Sequence, residues 1–205
     1  MNRVIKFAIA LVFVSMSSVS IAQMASGKHD LTAFAGTLHA TSVGQDLCRF
    51  CHTPHNSNAV APLWDRNGPT TATFTLYSSN TMENVMGQPT GVSQGCLSCH
   101  DGVTAFDSLL GLTGTGGNDM GTLYSGSSAI LGATLANDHP VGVSVTTANE
   151  MELAATIDGT ALRLFGGSTD TVECASCHDP HDDTYAAFLR MDPAAGTLCE
   201  TCHTK

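Results

Sequence analysis

Apolar residues form one continuous run near the start of the chain and only short patterns elsewhere. The run covers residues 7–14, follows a basic start, and is succeeded by the small-residue segment Ser20-Ile21-Ala22. This order is typical of a secretory signal peptide. The run is too short to cross a membrane, and no later stretch approaches the required length. We therefore predict a signal peptide over residues 1–22 and one exported domain over residues 23–205.

Weak patterns in the mature chain predict a few short strands. Residues 74–77 have strand-like composition, and residues 141–145 alternate valine with small or polar residues, a period of two that indicates a strand. Residues 161–165 and 170–173 flank two glycines and predict a hairpin. We expect a small β element within residues 101–173 and no other substantial sheet.

Helical patterns are equally short. Residues 103–112 and 185–191 are predicted as helices, and Asp192-Pro193 should end the second one. Residues 111–128 are rich in glycine and are predicted as loop. Residues 26–31 are expected to form an extended arm. The prediction is therefore mostly irregular coil with a few short helices.

The strongest sequence signal is a five-residue motif, Cys-x-x-Cys-His, that occurs four times and uses all eight cysteines. Two thiols at this spacing form thioethers with the vinyl groups of one haem, and the following histidine becomes the proximal ligand of its iron. We therefore predict four covalently bound haem c groups. The predicted attachment cysteines are Cys48, Cys51, Cys96, Cys99, Cys174, Cys177, Cys199 and Cys202, and the proximal histidines are His52, His100, His178 and His203.

Two other kinds of site use cysteine in such numbers. A disulfide framework in an exported chain would explain the even count. Zinc knuckles would explain the Cys-x-x-Cys pairs. Neither explains why a histidine follows every second cysteine, so the pattern favours covalent haem.

The composition fits a chain that is organised around cofactors. Without residues 1–22, 183 residues serve four haems, and the whole chain has one Trp and three Tyr. So few large apolar side chains would struggle to offset the conformational entropy of folding. We therefore predict a multihaem cytochrome c fold whose core is formed by stacked haems.

The charge of the chain limits its partners. Arg3 and Lys6 leave with the signal peptide, so the net charge falls from −10 to −12. Nucleic-acid binding needs a basic face, so this balance excludes it as a partner. An acidic, solvated surface is the expected result.

The remaining histidines supply second axial ligands. Five remain after the proximal four, which is enough for bis-histidine coordination throughout, so the methionines are expected to fill gaps rather than bind iron. His55 and His181 each follow a motif as Cys-His-x-Pro-His, where the proline should direct the second histidine to a neighbouring haem. The predicted distal ligands are His29, His55, His139 and His181, with their pairing open, and His39 (or else His29) is the expected spare.

The sequence segments that flank the motifs resemble known families. Residues 174–181, with 188–190 and 198–203, resemble the doubled Cys-x-x-Cys-His module of multihaem cytochromes. Residues 28–31 and 48–56 resemble the start of tetrahaem extracellular cytochromes of the OmcE type. That resemblance implies closely stacked bis-histidine haems, little regular secondary structure, and subunits that polymerise into conductive filaments, with an axial histidine donated between subunits.

Electron transfer is therefore the expected function, with no catalytic residue. In the filament version, a donor on the N-terminal arm such as His29 would bind a haem of the next subunit, and the protein would be extracellular or at the cell surface. Redox partner cytochromes or extracellular acceptors would then receive the electrons. A monomeric periplasmic shuttle and a nitrogen-oxide reductase with one open iron are the alternatives.

Overall fold

Short elements joined by irregular coil make up the fold. The computed structural model describes residues 24–25, 27–34, 47–82, 84, 86–111, 116–145, 154–167 and 170–204, so the predicted signal peptide and His39 lie outside it. Among the described residues, no helix is long and apolar enough to cross a membrane. The helices are α1 (Gly91–His100), α2 (Met120–Leu123), α3 (Ala154–Asp158), α4 (Cys174–Cys177) and α5 (Thr197–Glu200), with 3-10 turns at Leu31–Phe34, Ala186–Phe188 and Ala194–Gly196. The expected mostly irregular fold is confirmed at this level.

Two small sheets hold distant segments together. Strand β1 (Thr75–Leu76) pairs in parallel with β2 (Thr134–Leu135), and β3 (Val143–Ser144) pairs antiparallel with β4 (Thr171–Val172). The strands predicted at 74–77 and 141–145 are confirmed in their centres. Of the predicted hairpin, only an isolated β-bridge between Phe165 and Thr171 is present, because β4 pairs with β3 instead.

The helix predicted over residues 103–112 is wrong. The Asp101 carboxylate accepts the backbone N–H groups of Val103 and Thr104, which bends the chain. The guanidinium of Arg66 then binds the carbonyl oxygens of Ala105 and Phe106. Those carbonyls are the acceptors that a helix would need, so this segment forms turns instead.

The helix predicted over residues 185–191 is also wrong. Ala187 and Phe188 have φ values of 58° and 60°, in the left-handed region. The Asp179 N–H donates to the Phe188 carbonyl, and the Arg190 N–H donates to the Cys177 carbonyl. The segment therefore pairs with the end of the third motif, and this long-range pairing replaces local helix.

The N-terminal arm is folded rather than extended. The Asp30 N–H donates to the Gly27 carbonyl, and a 3-10 turn follows at Leu31–Phe34. The Leu31 side chain is buried in an apolar cluster with Phe50, Phe106, Leu109 and Met120. A second cluster contains Phe74, Leu97 and Leu135. Within the predicted loop 111–128, residues 120–123 form α2.

Candidate haem sites

Each Cys-x-x-Cys-His motif forms one turn of helix. The histidine N–H donates to the carbonyl of the first cysteine at 2.8 Å in the first motif, 3.2 Å in the third and 2.9 Å in the fourth. The second motif forms the last five residues of α1. Residues three apart lie on one face of such a turn, so each motif presents its two thiols together, as one haem requires.

Consecutive motifs lie next to each other. The Cys51 thiol is electrostatically coupled to that of Cys99, and the Cys177 thiol is coupled to Cys199 and Cys202. The Cys96 and Cys174 thiols share a hydrogen bond, which raises the pKa of Cys96 and lowers that of Cys174. The four motifs therefore follow one another in chain order, first to fourth.

Burial favours the protonated form of two thiols, those of Cys51 and Cys177. Burial raises the pKa of the Cys51 thiol to about 12 and that of Cys177 to about 11. None of the eight cysteines, all of which are described, forms a disulfide. Since the thiolate is the reactive form, these two cysteines are poor nucleophiles once the fold has closed around them.

Three pairs of histidines face each other at nearly one spacing. The ring centroids are 6.1 Å apart for His29 and His100, 6.1 Å for His52 and His181, and 6.3 Å for His139 and His203. Two imidazoles bound to opposite sides of one iron, with Fe–N bonds of about 2 Å, place their centroids about 6 Å apart. Each pair joins one proximal histidine to one predicted distal histidine. The arrangement therefore fits a haem iron between the two rings.

The Nδ1 atoms of six histidines are already engaged. A carbonyl or carboxylate oxygen can only accept, so each of these Nδ1 atoms carries the proton and Nε2 is left with a free lone pair. A metal-binding histidine needs this tautomer. The contacts are His52 to Pro62 O at 2.9 Å, His100 to Ala129 O at 2.7 Å, His178 to Ala187 O at 2.7 Å, His29 to Pro180 O at 3.3 Å, His139 to Pro140 O at 2.9 Å, and His181 to Asp179 Oδ1 at 3.3 Å.

Burial keeps one of the pairs neutral. Desolvation lowers the pKa of both His29 and His100 from the usual value, and the charge of His100 lowers that of His29 further. Iron binds neutral imidazole, so a lowered pKa favours the form that ligates. The His29–His100 pair is therefore suited to coordination over a wide pH range.

Two predicted iron ligands, His178 and His55, do not face a second imidazole ring within the described residues. Among the described parts of the chain, no imidazole faces His178 at the spacing of the other three pairs. His55 is exposed and likewise has no facing imidazole there. His39, the expected spare, lies outside the described residues.

Two buried donors beside the first motif also fit a haem. The indole Nε1 of Trp64 and the Nε of Arg49 are buried without a hydrogen-bond partner in the described structure. The Trp64 ring meets His52 edge-on at 5.7 Å, and Arg49 lies 3.8 Å from the Asp65 carboxylate, too far for a hydrogen bond. Buried donors are normally satisfied. The carboxylates of a haem bound at His52 would supply acceptors at this place.

Several residues that support the motifs were missed at the sequence level. Arg66, which donates to carbonyl groups of the first and second motifs, and Asp101, which follows the second motif, are both buried. Glu173, which is also buried, accepts a hydrogen bond from the hydroxyl of Ser93, and that hydroxyl also accepts the Cys174 N–H. The local sequence gives no signal for Asp101 or Glu173. For Arg66 the one signal is that it is among the few cations of the chain and lies near the only tryptophan.

The comparisons with known proteins agree with these sites. Residues 168–205, which contain the third and fourth motifs, match the family described as Doubled CXXCH motif. No curated protein is detectably similar to the chain. The match supports a multihaem c-type cytochrome, with covalently bound haem c and a role in electron transfer.

Proposed function

We propose that the chain carries four bis-histidine haem c groups and conducts electrons through them. The observation that carries this proposal is the set of three histidine pairs at 6.1–6.3 Å, each with one motif histidine. His100 would share its iron with His29, His52 with His181, and His203 with His139. The cysteine pairs named above remain the attachment sites.

The residues of the chain would fix the irons in a closed, six-coordinate state. Bound haem supplies a one-electron iron couple, and two histidine ligands hold its potential low. Each Nδ1 contact fixes the ring that carries it, so little rearrangement accompanies a change of charge. With both axial positions filled at three sites, only the site of His178 could admit a substrate as the reductase alternative requires.

The order of the motifs supports one path through the chain. The hydrogen bond between Cys96 and Cys174, and the electrostatic interactions of Cys51 with Cys99 and of Cys177 with the fourth motif, support neighbouring attachment sites that lie side by side. Haems attached at these places would be close to one another in the order first, second, third, fourth. Electrons would enter at one end of this series and leave at the other.

We further propose that chains join end to end into extracellular filaments, as the OmcE resemblance implies. His29 faces His100 of its own chain, so a histidine other than His29 would be the axial ligand donated to the next subunit. His55 is exposed and faces no second imidazole among the described residues, which suits a ligand for the His178 haem of an adjacent subunit. A contact of this head-to-tail kind does not close and would build a fibre.

Two measurements on the purified, matured protein test the electron-carrier proposal. A haemochrome assay combined with intact mass should give four haems per chain. The oxidised protein should be low-spin at every iron under conditions that preserve its assembly. Fewer than four haems would reject the count, and a high-spin iron that binds nitrite or hydroxylamine would favour the reductase alternative.

A further inference from the structure

Arg66 is the most deeply buried cation of the described structure. Its exposed fraction is 0%, and no carboxylate forms an ion pair with it there. The guanidinium instead donates only to neutral oxygens. These are Ser98 Oγ at 3.0 Å, Ser98 O at 2.9 Å, Phe50 O at 3.4 Å, Ala105 O at 2.8 Å and Phe106 O at 2.6 Å.

Three of these five acceptor atoms, on Phe50 and Ser98, lie inside Cys-x-x-Cys-His motifs. Phe50 precedes Cys51 in the first motif, and Ser98 precedes Cys99 in the second. One guanidinium therefore joins the two motifs and lies within electrostatic reach of both attachment sites.

No described carboxylate, including the buried Asp65, Asp101 and Asp107, forms an ion pair with Arg66. Asp65 lies 3.8 Å from Arg49 Nε, and Asp101 is engaged with backbone and hydroxyl donors. The Asp101 carboxylate accepts from the Thr71, Val103 and Thr104 N–H groups and from the Thr104 hydroxyl. At the third motif the corresponding cation, Arg190, is paired with Asp179 at 3.0 Å. The unpaired buried charge is thus a feature of the first two sites.

We propose that Arg66 both clamps the first two haem motifs together and raises the reduction potentials of the two haems that they hold. Reduction adds negative charge at the iron, and a buried positive charge stabilises that state strongly because the local dielectric constant is low. Arg66 is a positioning and tuning residue, since it acts through the motif backbones and the field of its charge. The proposal rests on the proposed four-haem function.

Substitution of Arg66 separates the charge from the packing. In Arg66→Gln, spectroelectrochemical titration should show two of the four potentials shifted downward and two nearly unchanged. Arg163→Gln, which removes an exposed cation, should leave all four in place. Haem counts are taken first on the wild type and on each variant. A wild-type count below four would reject the proposed function before the role of Arg66 is considered.

Arg66→Lys provides a charge that can be switched. A buried amine loses its proton between about pH 5 and about pH 10. Two potentials should therefore fall across this range beyond any change that the wild type shows at the same pH. Potentials that match the wild type throughout, or an Arg66→Gln protein that keeps four haems and four unshifted potentials, would overturn the proposal. Failure of both variants to retain haem would also reject the tuning role and leave a structural clamp.

Discussion

His52 and His181 face each other with ring centroids 6.1 Å apart and planes inclined by only 21°, although His52 ends the first motif and His181 follows the third. The planes of His29 and His100 are perpendicular at 90°, and those of His139 and His203 are inclined by 63°. The three pairs thus differ in a property that spectroscopy can measure.

The ring angles predict at least two kinds of low-spin signal in the oxidised protein. Parallel imidazoles act on the same iron d orbital and separate it from its partner, whereas perpendicular ones leave the two nearly degenerate. Electron paramagnetic resonance should therefore show a rhombic signal from the His52–His181 site and a more anisotropic signal from the His29–His100 site. Four rhombic signals would contradict the pairing.

Replacement of His181 should affect the first haem alone. In His181→Ala the rhombic signal should disappear and one haem in four should become high-spin, because His52 then has no partner. His181→Met is the matched control, since methionine can restore a sixth ligand and would raise one potential. If His181→Ala keeps every iron low-spin, the pair has been assigned incorrectly.

The carboxylate of Asp179 should lower the potential of that same haem. It lies 3.3 Å from His181 Nδ1 and accepts a hydrogen bond from Arg190 at 3.0 Å. A carboxylate partner makes a histidine ligand more basic, so Asp179→Asn should shift one of the four potentials upward. Asp192→Asn, which alters a carboxylate that accepts the Ala194 N–H at an exposed turn, should shift none. Equal effects of the two variants in a redox titration would remove the basis for this prediction.

His55 and His39 should have separable effects on assembly and ligation. If His55 is the donor between subunits, His55→Ala should give one high-spin haem and abolish filaments in electron micrographs. His39→Ala should then leave both unchanged. A high-spin haem in His39→Ala, with His55→Ala normal, would assign His39 to His178 and favour the monomeric shuttle if no filaments form.

Gly121 should not tolerate a side chain. A Cβ there would lie 2.6 Å from the Gly102 carbonyl oxygen, which accepts the Gly121 N–H at 2.9 Å. Because the clash is with backbone, Gly121→Ala should lower the free energy of unfolding by about 1–3 kcal/mol. Gly116→Ala, which meets open space, should change it little. Thermal melting followed at the Soret band would compare them.

The covalent part of the sites could be predicted from sequence because it is local. One turn of chain contains both thiols and the proximal histidine, so Cys96, Cys99 and His100 needed no tertiary information. The distal partners could be named as candidates but not paired. His29 meets His100, and His139 meets His203, only through the fold of the whole chain.

The failures of the local predictions have the same cause. Residues 185–191 have helical composition, yet Phe188 pairs with Asp179 instead. Residues 103–112 lose their helical acceptors to Arg66, a residue far away in the sequence. A side chain that organises others at long range leaves no periodic signal at its own position.

The burial of the Cys51 thiol has a consequence for the order of biogenesis. A chain emerges from its N-terminus, so the first motif becomes available long before His181 does. Because Cys51 is unreactive once enclosed, its thioether must form while the segment is still open. The first haem would then wait, with one axial position free, until the third motif has arrived. Maturation would then follow the order of the chain, and the first site would be completed only by His181, a residue beyond the third motif.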